Sequence, residues 1–152
     1  MIVPRVILAH NFVDLKVLDV SGNALNDLEG SLFTHLPSLK ILNACNNNIK
    51  KISNKIGFCT CLREFSLDSN LLRNLPSELG KLNKLEKLNL ARNKLSEIPV
   101  FFKNLSYLEI LNLKRNSIRS IPDGILSELS LLTSLHLLSN PLTVLTSDFK
   151  YL

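Results

Sequence analysis

The side chains able to do chemistry fall into two groups in this sequence. The titratable and nucleophilic ones are scattered: His10, His35 and His136, and Cys45, Cys59 and Cys61, stand at unrelated intervals. Acid–base or nucleophilic catalysis needs such groups within hydrogen-bond reach of one another. No HExxH, GxSxG, phosphate-loop or dinucleotide pattern is present. Cys59-Thr60-Cys61 lacks the second pair or nearby His that would complete a zinc set. The asparagines are ordered instead. Asn23, Asn47, Asn70, Asn93, Asn116 and Asn140 follow one another at intervals of 24, 23, 23, 23 and 24 residues. An amide neither titrates nor attacks; it offers two donors and one acceptor oxygen. The recurrent chemistry is hydrogen bonding, and the chain reads as non-enzymatic, without cofactor or metal.

The elements that must position these amides repeat with them. Around each Asn the pattern LxxLxLxxNxL returns, as Leu62, Phe65, Leu67, Asn70 and Leu72 or Leu85, Leu88, Leu90, Asn93 and Leu95. The chain of 152 residues holds 34 Leu and 17 Asn, where an ordinary core mixes shapes to fill an irregular space. One small packing problem is being solved repeatedly. Alternating leucines point inward along a short strand while their neighbours point outward. The Asn then satisfies backbone groups of the turn that follows. One copy cannot bury enough surface to fold alone, whereas stacked copies share a core.

On these residues the chain resembles a leucine-rich repeat protein. The resemblance implies an α/β solenoid: a right-handed superhelix with short parallel strands on its concave face and loops or short helical turns on its convex face. Six repeats are expected at 15–38, 39–61, 62–84, 85–107, 108–131 and 132–152, the last incomplete. Leu75-Pro76, Ile98-Pro99 and Ile121-Pro122, with Pro76 to Leu82 similar to an LPxxLGxL segment, resemble the 23-residue intracellular repeats of Ras-group and scribble-type scaffolds. Glu29, Ser53 and Thr146 replace the proline in copies one, two and six. Ala44 stands at a leucine position, a deficit that nearby Phe58 is expected to offset.

Residues 1–14 resemble the tail of a preceding repeat, with Val3-Pro4 in place of Ile98-Pro99 and Phe12 in place of Leu105. Solenoids need polar caps, so three expectations follow for the ends: a longer solenoid of which this is a piece, a partner that covers them, or end-to-end self-association. The apolar runs are too short for a membrane-spanning helix. Val6 to Ala9 is also too short for a secretory signal. An odd number of cysteines in no bracketing pattern reads as thiols in a reducing compartment, hence a cytoplasmic protein. Asn104-Leu105-Ser106 is a glycosylation sequon, a pattern that arises easily in an Asn-rich chain.

With the first leucine of each copy as position one, positions two, three, five, seven and eight are expected on the concave face. Position five forms a column of Asp19, Asn43, Ser66, Asn89, Asn112 and His136, able to hydrogen-bond an extended segment or simply to face solvent. Position eight sets Arg92 and Arg115 on neighbouring strands with Lys114 beside them, suited to gripping a carboxylate or phosphate. The alternative is a surface ion network in which Asp68 and Glu86 neutralise them. The expected partner-binding residues are Asn43, Ser66, Asp68, Lys87, Asn89, Arg92, Asn112, Lys114, Arg115 and His136. The net charge of +5 is spread over concave and connecting segments without a one-signed stripe or aromatic platform, which argues against nucleic acid.

A concave strip of six strands covers roughly 400 Å², against about 800 Å² per partner in a standard interface. The resulting expectation is a non-catalytic scaffold, adaptor or regulatory module that binds another protein. Small GTPases and phosphatases are the surroundings the resemblance implies. A piece of a membrane receptor's ligand-sensing ectodomain, or a regulatory domain of a larger enzyme, are the alternatives.

Overall fold

The computed structural model describes residues 12–144. Six three-residue strands, β1 (Val17–Asp19), β3 (Ile41–Asn43), β5 (Glu64–Ser66), β6 (Lys87–Asn89), β7 (Ile110–Asn112) and β8 (Ser134–His136), form one parallel sheet in that order. Each strand occupies positions three to five of a copy, and the register never slips: Leu18, Leu42, Phe65, Leu88, Leu111 and Leu135 align, flanked by the outward rows on either side. The ladder continues one residue past each strand, with Ala44 N–H donating to Ser66 C=O and Leu90 N–H to Asn112 C=O, both at 2.8 Å. Parallel pairing follows from the period, since every strand is reached by the same excursion through the rest of its copy.

That excursion is a tight turn of helix on the far side of the core. In copy one it is α1 (Gly30–Thr34); in the next four copies it is a 3₁₀ turn, at Asn54–Phe58, Ser77–Lys81, Val100–Asn104 and Leu126–Glu128. With three residues per 3₁₀ turn, residues i and i+3 lie on one side. The buried pairs accordingly run Ile56 and Cys59, Leu79 and Leu82, Phe102 and Leu105, and Leu126 and Leu129. Together with the strand leucines they make a single continuous core. Gly80 lets adjacent turns touch, for a Cβ there would sit 3.1 Å from the Phe101 carbonyl oxygen.

The same geometry corrects the expectation for Phe58. It follows Ile56 by two residues, so it points outward; it is 55% exposed, with the Lys55 ammonium 5.2 Å from its ring centre. Ala44 is fully buried, and Phe58 does not fill the space beside it.

Copies one and two carry a second, two-stranded parallel sheet, β2 (Asp27–Leu28) with β4 (Lys51–Ile52). Ser53 N–H extends it by donating to Leu28 C=O at 2.9 Å. In the next copy Pro76 holds the position of Ser53, and proline has no N–H to give. Among the described residues the second sheet does not pass into the proline-bearing copies. No helix of the described residues is long and apolar enough to cross a membrane. The expectations for Val3-Pro4 and for the last residues of copy six lie outside the described residues. Phe12 lies within them; its C=O accepts Leu15 N–H at 3.0 Å, as Leu105 C=O accepts Leu108 N–H at 2.9 Å.

Candidate protein-binding face

The concave face rests on the buried Asn column. Each position-nine amide binds two copies at once. The Asn93 Oδ1 accepts Leu72 N–H at 3.0 Å, and its Nδ2 donates to Leu67 C=O at 3.0 Å in the preceding copy and to Leu90 C=O at 3.1 Å in its own. Asn47, Asn70 and Asn116 repeat this set, and Asn140 does so at the last described copy. Among the described residues Asn23 bonds within its own copy, to Val20 and Ser21 C=O. The strand ends are thereby fixed in space, copy against copy.

Position eight, just before the Asn, turns the chain through the left-handed region. Gly22 has φ +65°, but Asn46, Ser69, Arg92, Arg115 and Ser139 adopt 52–60° with full side chains. Such backbone carries a steric cost for a non-glycine residue. The backbone recovers a hydrogen bond in return: Arg92 N–H donates to Lys114 C=O and Arg115 N–H to Leu138 C=O, both at 2.8 Å. The arginines predicted at this position therefore stand where the sheet turns away, at its exit edge.

Position five is the exposed counterpart of the buried column. The Asn43, Asn89 and Asn112 Oδ1 atoms each accept the N–H two residues on, that of Cys45, Ala91 and Lys114, at 3.2 Å. This turn assigns the amide: oxygen faces the backbone, so Nδ2 and its two donors face outward. Asn43 Nδ2 donates to Asp19 Oδ2 at 3.0 Å. Among the described residues Asn89 and Asn112 Nδ2 have no such acceptor. Hydrogen bonds from the Ser21 side chain and N–H, and from Asn43, hold the Asp19 carboxyl below its ordinary value. At the other end of the row the His136 Nε2 and Ser134 Oγ are 2.9 Å apart.

The charges divide the face. Between β5 and β6 they cancel: Arg63 pairs with Glu86, and Lys87 with Glu64 at 2.8 Å. The Glu64 hydrogen bond raises the Lys87 ammonium above its ordinary pKa. Arg92 Nη1 stands 3.7 Å from Asp68 Oδ2 and 3.5 Å from Ser69 Oγ. The neutralisation expected of Asp68 is thus present, while Glu86 turns to Arg63. Lys114 and Arg115 form no ion pair among the described residues. All ten predicted positions share this face, but they are not equivalent: Asp68 pairs with Arg92 and Lys87 with Glu64, while Ser66 is half-buried.

A hollow of about 360 Å³ that the strand positions do not reveal lies on the flank where the chain enters the strands, lined by Arg63, Asn83, Lys84, Glu86 and Tyr107. Tyr107 is exposed; it is the last residue of copy four and directly precedes Leu108, the first leucine of the next copy. An aromatic in that last slot was the available signal. The cysteines are unpaired. Burial pushes the Cys59 thiol up to about 11, the nearby Cys61 adding to it, and its Sγ lies 3.6 Å from Leu36 C=O. Burial also raises Cys45, with the Asp68 and Asp19 charges in the same direction.

A family model described as leucine rich repeat matches residues 13–72 and 99–142, and a second of the same description matches 84–105. Among solved structures, a leucine-rich repeat protein of Leptospira interrogans superposes with a TM-score of 0.83 at 30% identity, over 91% of this chain and 38% of the other. A structure described as a TDR receptor superposes with a TM-score of 0.76 at 31% identity, over 84% of this chain and 23% of the other. The chain spans well under half the length of either. No match is found among curated proteins.

Proposed function

The chain belongs to the leucine-rich repeat family, and from that premise we propose that it is a non-catalytic interaction module that binds another protein across its concave sheet. The carrying observation is the unbroken register. Six strands align position five with position five, so a segment laid across them meets a polar group at every strand spacing of about 4.8 Å. The histidines support the non-catalytic reading. His136 belongs to the sheet, while the His35 Nδ1 is 2.7 Å from Ser31 C=O at the end of α1, across the core.

The flank hollow at Tyr107 enlarges the footprint beyond the sheet alone, and supplies the aromatic and Arg anchors that interface centres favour. The unpaired thiols support a reducing, cytoplasmic setting, and the resemblance to Ras-group and scribble-type repeats supports a scaffold or regulatory role. A second reading, a piece of a receptor's ligand-sensing ectodomain, is favoured by the 31% identity to the TDR receptor structure.

The test is an affinity capture from reducing lysate with wild type and an Asn89→Lys, Arg92→Glu, Arg115→Glu triple variant of matched thermal stability. A protein held by wild type and lost from the variant supports the concave face. Equal retention by both moves the site to the flank or loops, and overturns the reading.

A further inference from the structure

The face is chemically asymmetric along its length, and the asymmetry points to a class of partner. At the β1 end the outward donor of Asn43 is already taken by Asp19, a carboxylate held ionised by three hydrogen bonds. Across β5 and β6 the charges of positions two and three are paired off. Over β6 and β7 the situation reverses. Asn89 and Asn112 are register partners, so their Nδ2 groups stand about one strand spacing apart, each with its oxygen turned inward. Lys114 and Arg115 follow on the same chain as Asn112, and Arg115 is exposed.

Every outward polar group in that cluster is a hydrogen-bond donor, and two are cations without an ion pair among the described residues. The carboxylates that could answer them are elsewhere. Asp68 is engaged by Arg92 and Ser69. Glu86 is engaged by Arg63. Glu109, at position two, is five residues before Lys114, about 16 Å along the strand direction, beyond the Debye length at physiological salt. A donor-only patch with unanswered positive charge is complementary to clustered anionic oxygens, which bidentate Arg and paired amide donors recognise with fixed geometry.

We propose that the β6–β8 part of the concave face binds an extended segment of a partner protein through anionic oxygens. These are the carboxylates of Asp or Glu. Asn89 and Asn112 donate to them, and Lys114 and Arg115 supply the charge. This deepens the concave-face reading and rests on it: Asp19 and Asn43 set the register at the other end by disfavouring acidic residues there.

The test is selection of a random nonapeptide display library on the immobilised full chain in reducing buffer, followed by fluorescence anisotropy of the selected peptides. The expected result is enrichment of Asp and Glu over the starting library. Affinity should fall tenfold or more in Lys114→Gln/Arg115→Gln, and to a lesser degree in Asn89→Ala/Asn112→Ala, while Lys50→Gln/Lys51→Gln on the far side leaves it unchanged. Phosphoserine versions of the same peptides check the anion: weaker binding than the carboxylate parents is expected, and tighter binding overturns the carboxylate assignment. Peptides that lose affinity in the sheet-face variants but show no acidic preference overturn the anion proposal and leave the concave face standing. Peptides indifferent to every sheet-face variant, or no selection at all, overturn both. Circular dichroism of each variant confirms that a lost affinity is not a lost fold.

Discussion

Asparagine stands at position nine in every copy of this solenoid and at position five, four residues earlier, in three of them, and the two serve opposite ends. At position nine Asn47, Asn70, Asn93 and Asn116 are buried, and both ends of each amide bind backbone of adjoining copies. At position five Asn43, Asn89 and Asn112 are half-exposed, and each oxygen is committed to a turn two residues on, while of the three Nδ2 groups Asn43's alone has an acceptor among the described residues, Asp19. The residue type is the same; the difference lies in whether the next turn closes over it. An amide inside the turn is cement between copies, and an amide before the turn is left with donors for something else.

The sharpest way to break this contrast is to remove one amide from the buried column. Asn93→Ala leaves Leu72 N–H and the Leu67 and Leu90 carbonyls without the partner they have now. At about 1–3 kcal/mol per unsatisfied buried group, a loss on the order of 3–5 kcal/mol is expected in urea unfolding. Because the bonds tie copy three to copy four, the transition should also broaden as the array loses cooperativity. A variant no less stable than wild type would show that water replaces the amide, and the two columns would no longer differ in kind.

Inside and outside also separate the cysteines. Cys59 is fully buried, and Cys45 and Cys61 are half-exposed. With native protein at pH 8, a disulfide reagent should label Cys45 and Cys61, and reach Cys59 only on unfolding. The linkage follows from the raised value. A folded pKa of about 11 above an unfolded value near 8.5 means the fold prefers the neutral thiol. That preference contributes stability fully below the unfolded value and is lost as pH rises toward the folded one. Cys59→Ala should therefore flatten the fall in stability between about pH 8.5 and 11; an unchanged slope would assign that fall to other groups.

Within the exposed column the first member is a carboxylate. Asp19 takes the place of an Asn, and its hydrogen bonds from Ser21 and Asn43 lower its pKa. A depressed folded pKa means stability present above the unfolded value and lost as pH falls through the folded one. NMR titration should place the Asp19 carboxyl below an ordinary aspartate. Asn43→Ala should bring it part of the way back, since the Ser21 hydrogen bonds remain. If Asn43→Ala left it unmoved, the Asn43 donor would be as free as those of Asn89 and Asn112, and the asymmetry of the face would disappear.

Much of this was legible because the period is strict. The intervals between Asn23 and Asn140 specify the strands, their parallel pairing and a polar group that must close each turn. What the pattern could not carry is direction on a scale finer than the repeat. Leucine spacing says nothing of φ, and only Gly22 hints that position eight is left-handed, since Asn46, Ser69, Arg92, Arg115 and Ser139 are not glycine. Hydrophobicity alone does not show which side of the turn a residue takes: Phe58, two residues after the buried Ile56, lies on the outer side in an α-turn and a 3₁₀ turn alike. The partner choices of Arg63, Glu86 and Asp68 depend on rotamers that no spacing encodes. Tyr107 was overlooked because it stands outside the strand positions. The proline copies were visible, but their consequence, the halt of the β2–β4 sheet, needed the observed donor at Ser53.

The smallest predicted effect is also the one that decides whether position five is available for binding. Asn89→Ala and Asn112→Ala each remove one 3.2 Å bond from a half-exposed oxygen to Ala91 or Lys114 N–H. The amides and Lys114 are half-exposed, whereas Ala91 is buried, so Asn112→Ala should cost about 0.5 kcal/mol and Asn89→Ala up to about 1 kcal/mol. Because the two amides share no bond with each other, the costs should add in the double variant. A large or strongly non-additive loss would mean that this column also holds the copies together. The role of its amides would then be structural, as at position nine. A small additive loss, set beside the collapse expected of Asn93→Ala, leaves the outward amides with no structural task and free to meet a partner.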